Sequence, residues 1–165
     1  VVSPGGYVST LVEAIRHTRL PIVIEPGRAI VGPAGALIAT VIDLKPQTAS
    51  TEFAVLDAGM TELLRPALYG AFHPIEPVRV RTGERRGYEL VGPVCESSDV
   101  VGRDRLLPPL QVGDLLAIGA AGAYGAAMAS NYNRRPLPVE VLVEQGRWRV
   151  IRRRQTVDDL LVLER

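Results

Sequence analysis

The pattern of hydrophobic and polar positions changes period once along the chain, between Arg28 and Gly35. Before that point Leu11, Val12, Ala14 and Ile15 recur at helical spacing among Glu13, Arg16 and His17, and Ser9 or Thr10 can cap a short helix to about Thr18. His17 then falls in a solvated last turn. Pro21-Ile22-Val23-Ile24 reads as a strand buried on both faces of a parallel sheet, ending in the charged loop Glu25-Pro26-Gly27-Arg28. A helix, a buried strand and a charged loop together are the grammar of a βα barrel, where functional groups follow the strand C-termini.

From Gly35 the pattern is that of strands. Ala36 to Leu44 is a long β-branched run, Glu52 to Leu56 a second strand, and Pro74 to Arg81 a third, with alternation at Val78 and Val80. Thr61 to Tyr69 between them predicts a short helical turn bounded by Pro66. After the turn Thr82-Gly83-Glu84, a strand over Arg86 to Val94 leads to Cys95, and Val112-Gly113-Asp114 turns the chain into Leu115 to Ile118. The run from Gly119 to Met128 is built of small residues that let backbone approach a ligand or another element closely. Val139 to Glu144 and Arg147 to Arg154 form a hairpin about Gln145-Gly146, and Thr156 starts a terminal helix ahead of Asp158 and Asp159. The expected architecture is a mainly β chain: residues 1–34 carry the last helix and strand of a βα barrel, and residues 35–165 a β-barrel or sandwich domain.

Composition narrows the function classes. With 47% hydrophobic and 22% charged positions the chain can bury a core and is not a disordered tail. Nineteen basic against eighteen acidic residues leave a net charge of +1, so no long-range field favours nucleic acid or an anionic membrane. The arginines after Trp148 (Arg149, Arg152, Arg153 and Arg154) form a local basic run that fits a solvated strand edge. The longest apolar stretch, Ala29 to Ile42, is broken by Gly32, Pro33 and Gly35 and is too short to span a bilayer. One cysteine rules out an internal disulfide framework, and His17 and His73 are too far apart for metal-ligand spacing, so a metal-free site in the reducing cytoplasm is the expectation. The opening Val1-Val2-Ser3-Pro4-Gly5-Gly6 reads as mid-loop sequence, so the chain is expected to be a piece of a longer one.

Cys95 stands in Gly92-Pro93-Val94-Cys95-Glu96-Ser97-Ser98-Asp99, where a Gly-Pro turn stops the preceding strand and sets thiol, carboxylate and hydroxyls on a tight loop. A lone cysteine is more often a small buried hydrophobe. Glu25-Pro26-Gly27-Arg28 offers backbone N–H groups beside a guanidinium able to take a carboxylate or phosphate, although in isolation it is only a turn. Arg65 and Tyr69, four apart, share one face of a helical turn and suit an anionic substrate end, or equally a surface arginine over a packed ring. Tyr124, among glycines and alanines, is either a core plug or a flat ring with a hydroxyl at its tip.

These motifs, with Asp57-Ala58-Gly59-Met60 and Gly122-Ala123-Tyr124-Gly125, occur in an order and spacing that resembles the diaminopimelate decarboxylases. Those are pyridoxal-phosphate enzymes of the alanine-racemase-like, fold-type III group, and the resemblance runs from Glu25 to Arg134. It implies a βα barrel followed by a β domain, in a homodimer with the active site at the interface. It further implies that Glu25, Pro26, Gly27 and Arg28 hold the cofactor phosphate, that Arg28, Arg65, Tyr69 and Glu96 contact substrate, and that Tyr124 contacts both cofactor and substrate. Cys95 is then the proton donor, reaching the partner subunit's site, a role that suits a thiol as general acid after carbon dioxide leaves.

Diaminopimelate carries a second amino acid centre, and Glu96 with the arginines would tell it from lysine or ornithine. The family's Schiff-base lysine, a stacking histidine and a glycine-rich phosphate loop have no counterpart. Lys45, the single lysine, lies in a β stretch and is not a candidate. The chain alone is therefore expected to be inactive. The alternatives are a decarboxylase of the same group acting on ornithine, arginine or a carboxylated polyamine, and a non-catalytic dimerisation or regulatory module.

Overall fold

The protein is described here by a computed structural model covering residues 3–48, 50–79 and 81–164. Val1, Val2 and Val80, which enter the expectations above, lie outside the described residues. Helix α1 (Pro4–Ile15) begins earlier than the pattern predicts: Ser3 is the cap, its Oγ accepting from Gly6 N at 3.1 Å, and Pro4 supplies a preset φ at the first helical position. Thr10 caps nothing and donates instead to Gly6 O within the helix. A 3₁₀ turn, Arg16–Thr18, follows and ends at Arg19, whose φ of 56° breaks the helical path.

The expected buried strand at Pro21 to Ile24 does not form. That segment joins no ladder, and Val23 is 88% exposed, because no described strand lies beside it to supply parallel partners. Helix α2 (Gly27–Val31) and a 3₁₀ turn, Gly32–Ala34, then lead into the sheet.

The β region follows its pattern more closely. Strands β1 (Leu37–Pro46), β2 (Thr51–Leu56), β3 (Ile75–Pro77), β4 (Arg86–Val91), β5 (Val100–Leu107) and β6 (Leu115–Ile118) make one sheet in the order β3-β6-β1-β2-β4-β5. Pairing is antiparallel except for β2 beside β4, whose parallel register needs the long connection containing α3 (Arg65–Tyr69). Strand β1 pairs with β6 through Leu37–Thr40 and with β2 from Val41 onward, shifting register between Val41 and Asp43, so one strand bends across both halves.

The two edge strands meet at Ile75 and Gly102, where a Cβ on Gly102 would sit 3.0 Å from Ile75 Cδ1, and the sheet curls into a nearly closed barrel. Val41, Leu56, Leu90, Leu116 and Ile118 fill it without solvent exposure. Tyr88 lies fully buried among them, its hydroxyl accepting from Leu110 N at 3.0 Å.

Strand β5 is absent from the sequence reading because Gly102-Arg103-Asp104-Arg105 interrupts its apolar alternation and Asp104 takes a φ of 50°. The predicted third strand shrinks to Ile75–Pro77, and the predicted run to Val94 stops at Val91. Helix α4 (Gly125–Met128) follows Tyr124. The hairpin forms as β7 (Glu140–Glu144) and β8 (Arg147–Arg152), with Gln145 and Gly146 at φ 51° and 74° in its turn. Thr156 caps α5 (Val157–Leu160) in a reciprocal capping box with Asp159. Among the described residues no helix is long and apolar enough to cross a membrane.

Candidate active site

Glycines bring two distant segments together. The backbone of Gly119–Tyr124 lies against Gly32–Gly35: Ala121 N donates to Gly35 O at 2.9 Å and Gly122 N to Gly32 O at 3.1 Å. A Cβ on Gly35 would fall 2.6 Å from Gly122 Cα, so this approach requires glycine. Of the two uses the small-residue run allows, close packing against another element is the one observed. The Arg28 side chain lies by Gly32, next to Ala123.

Helix α3 has Pro66 in its first turn rather than at its boundary, and it sets Arg65 and Tyr69 on one face. The Arg65 guanidinium stands 5.3 Å from the Tyr69 ring centroid and 5.3 Å from that of Tyr124, bringing two predicted site residues to a third. Tyr124 adopts a φ of 64°, a costly conformation for an aromatic residue, and is 49% exposed, so it is a presented ring rather than a core plug.

Among the described residues Arg28 Nη1 and Arg65 Nε are buried without a hydrogen-bond partner. Buried guanidinium donors left open suit an anionic group such as a carboxylate or phosphate. Pro26 precedes α2, and Gly27 opens it with free space at its Cβ position; Glu25 is exposed.

Sequence reasoning did not nominate His73 or Arg105 for this cluster. His73 is fully buried, its Nδ1 bonded to Gly119 O at 2.9 Å and its Nε2 without a partner among the described residues. Burial pushes its pKa below the ordinary value; the Gly119 bond opposes that, and Arg28, Arg65 and Arg105 add to it. Arg105 stacks 3.9 Å from the Phe72 ring centroid, and burial lowers its own pKa. The available signal was position: Phe72-His73-Pro74 follows the Arg65–Tyr69 motif after Gly70 and Ala71.

Cys95 and Glu96 lie on the loop after β4, both exposed. Among the described residues no hydrogen bond, ion pair or ring contact joins them to the arginine cluster. Asp99, 3% exposed, organises their loop: Oδ2 accepts from Val94 N at 2.9 Å and Oδ1 from Met60 N at 2.6 Å, while its backbone bonds Gly92 and Glu96. The Asp57–Met60 motif is held in turn by Glu62, which accepts from Gly59 N and Thr61 Oγ1, and by Arg135, which donates to Asp57 O. An open depression of about 570 Å³ beside the loop is lined by Phe53, Glu89, Glu96, Asp99 and Arg103, among others. Lys45 is on β1, 3.4 Å from Asp43 in an exposed ion pair. Among the described residues no cluster of three or more His, Cys, Asp or Glu could hold a metal.

The family described as "Pyridoxal-dependent decarboxylase, C-terminal sheet domain" matches residues 7–122. A diaminopimelate decarboxylase of Vibrio cholerae is 48% identical over 162 residues, covering 98% of the chain and 38% of that protein. The crystal structure of diaminopimelate decarboxylase from Helicobacter pylori complexed with L-lysine superposes with a TM-score of 0.82 at 43% identity, covering 96% of this chain and 39% of that one. A lysine/ornithine decarboxylase of Vibrio vulnificus complexed with cadaverine matches less well, at a TM-score of 0.65 and 30% identity over 79% of this chain and 36% of that one. The chain thus spans under two fifths of the length of the curated relative named above.

Proposed function

Because the chain belongs to the pyridoxal-dependent decarboxylases, as their C-terminal sheet domain, we propose that it serves the decarboxylation of meso-diaminopimelate to L-lysine and carbon dioxide. The observation that carries this reading is the pair of buried guanidinium nitrogens on Arg28 and Arg65 that have no hydrogen-bond partner among the described residues, with Arg65 set against the Tyr69 and Tyr124 rings. Two anions need such donors: the cofactor's phosphate, for which Arg28 is the candidate with Glu25, Pro26 and Gly27 in its loop, and the substrate's carboxylate, for Arg65 with Tyr69. Pyridoxal phosphate, when bound, supplies an electron sink for the pair released as carbon dioxide leaves. Tyr124 then presents its ring and hydroxyl to both ligands.

Cys95 is the general acid that delivers a proton to the reacting carbon, and Glu96 beside it pairs with the distal ammonium of diaminopimelate. That no contact among the described residues joins them to the arginine cluster fits a homodimer in which this loop completes the partner's site. Residues 1–34 belong to a βα barrel in this reading. Support comes from Leu20, Val23 and Ile30, apolar yet 68%, 88% and 67% exposed, a surface that further barrel strands would cover. A cytoplasmic setting accords with the free, exposed thiol.

Product analysis tests the assignment. The polypeptide carrying this domain, given pyridoxal phosphate and meso-diaminopimelate, ornithine or arginine in parallel, releases carbon dioxide and L-lysine from the first. Preferred turnover of ornithine or arginine would sink the substrate assignment, and no turnover of any would favour a non-catalytic module.

A further inference from the structure

Arg135 lies beyond residues 7–122, the span that matches the family, and has no role in the function proposed above. Its guanidinium nevertheless grips one turn at three places. Nη2 donates to Asp57 O at 2.6 Å, Nε donates to Thr61 Oγ1 at 3.2 Å, and Nε stands 3.5 Å from Glu62 Oε1. That turn runs from the end of β2 to the start of α3. Glu62 closes it from within, Oε2 accepting from Gly59 N at 2.8 Å and from Thr61 Oγ1 at 2.9 Å. Thr61 and Glu62 are buried, and Arg135 supplies the cation beside the Glu62 carboxylate.

The same turn meets the Cys95 loop directly. Met60 N donates to Asp99 Oδ1 at 2.6 Å, and Asp99 Oδ2 accepts from Val94 N, one residue before the thiol, at 2.9 Å. A Cβ on Gly59 would fall 2.8 Å from Gly92 Cα, so turn and loop pack backbone to backbone. A series of bonds therefore leads from Arg135 through Glu62 and the turn to Asp99 and the base of the loop. At its other end Arg135 is itself fixed, because Asn131 Nδ2 donates to Arg135 O at 2.8 Å and to Gln155 Oε1 at 2.6 Å.

We propose that Arg135 is a positioning residue for Cys95: by clamping Asp57 O, Thr61 and Glu62 it holds the turn whose Met60 N–H and Gly59 backbone seat Asp99, and Asp99 holds the loop. It acts through Glu62 and Asp99 rather than on the reacting atoms. The proposal rests on the role given above to Cys95, but the hold on the loop can be tested without catalysis.

Hydrogen exchange of single amides in the whole chain reads that hold. Arg135→Met keeps the stem and removes the donors and the charge. It should speed exchange at Met60 N and Val94 N roughly tenfold more than at Val41 N and Gly119 N, which are bonded to Asp114 O and Pro74 O. Arg135→Lys, which keeps the charge and loses the fork, should recover part of the difference. Arg134→Met, which removes only an exposed pair with Glu164, should leave all four amides as in the parent. In the decarboxylating protein Arg135→Met should lower kcat about tenfold with little change in KM, yet add nothing to the loss caused by Cys95→Ala, because it acts through that thiol. The proposal is overturned if the four amides speed up equally, if Arg134→Met has the same effect, or if Arg135→Met slows the Cys95→Ala enzyme as much as the parent. Should both Arg135 variants unfold, the unsubstituted chain decides: an Arg135 Nε–H protected from exchange supports the clamp, and one exchanging as fast as that of exposed Arg149 overturns it. Equal exchange with L-lysine still formed from diaminopimelate would remove Arg135 and leave the decarboxylase reading standing, whereas unequal exchange with no lysine formed would remove that reading and leave the hold on the loop.

Discussion

The carboxylate of Asp99 occupies the space that a side chain on Gly92 would need, and a side chain on Gly59 would meet it too. One buried acid therefore locks the two ends of the Cys95 loop to each other and to the Asp57–Met60 turn. The loop is exposed at its tip and tied down at its base, the arrangement that the role proposed for Cys95 in a partner's site requires.

Removing either member of this contact should be costly, and the costs should not add. Asp99→Ala leaves Met60 N and Val94 N without their acceptor, at about 1–3 kcal/mol for each buried donor. Gly92→Ala forces the Asp99 carboxylate out of place, at about 1–3 kcal/mol or more. With the carboxylate gone the added methyl has room, so the double variant should be more stable than the sum of the single losses implies. Urea unfolding of the four proteins measures this; strict additivity would mean that the two residues do not share the space.

In the decarboxylating protein the loop and the arginine cluster should fail differently. Cys95→Ala is expected to lower kcat strongly with little change in KM, because a proton donor acts in the transition state alone. Arg65→Met, which keeps the length but loses the charge, should chiefly raise KM for diaminopimelate, by roughly tenfold to a hundredfold for a charge-assisted contact. Steady-state kinetics separate the two patterns, and a Cys95→Ala enzyme with unchanged kcat would remove the thiol from its role.

The sheet was legible wherever one face is buried and one is wet: β1, β2, β4 and β6 fall within a few residues of their hydrophobic pattern, and Gln145-Gly146 marked the hairpin. Pro21 to Ile24 misled because an apolar run states only that burial is wanted, not that a partner lies within the chain. Strand β5 escaped because its charged middle carries a positive φ, a backbone irregularity without a periodic signature. Of the residues that the resemblance named, Arg65, Tyr69 and Tyr124 meet in space. His73 and Arg105 were missed because their interest lies in burial and convergence, which only folding creates.

Acid should weaken the fold in two separate windows. The folded pKa of His73 lies below its unfolded value, so the unfolded chain takes up the proton first and stability declines as pH falls below about 6.5. Asp114 is held below the ordinary carboxylate range chiefly by its bidentate bond to Arg81, at 2.7 and 3.1 Å. Its contribution is complete above about pH 4 and is lost as pH falls through the depressed folded value. Because Arg81 is partly exposed, Asp114→Asn should cost only about 1 kcal/mol at neutral pH, and the difference from the parent should vanish in strong acid. Thermal unfolding followed from pH 8 to pH 2 distinguishes the windows, and a constant difference between parent and Asp114→Asn across that range would contradict the ion-pair account.

Lys45 offers the sharpest test of what this chain can do unaided. A lysine that anchors pyridoxal phosphate must be readily deprotonated and must stand where the cofactor's phosphate is held. Lys45 instead lies exposed on β1, in an ion pair 3.4 Å from the Asp43 carboxylate, and Arg28 and Arg65 are on other elements. Incubating the chain with pyridoxal phosphate, reducing with borohydride and mapping the peptides should therefore yield no stoichiometric pyridoxyl adduct at Lys45. Stoichiometric labelling there, abolished by Lys45→Arg, would show that the cofactor is anchored on the β domain itself and would overturn the assignment of its phosphate to Arg28.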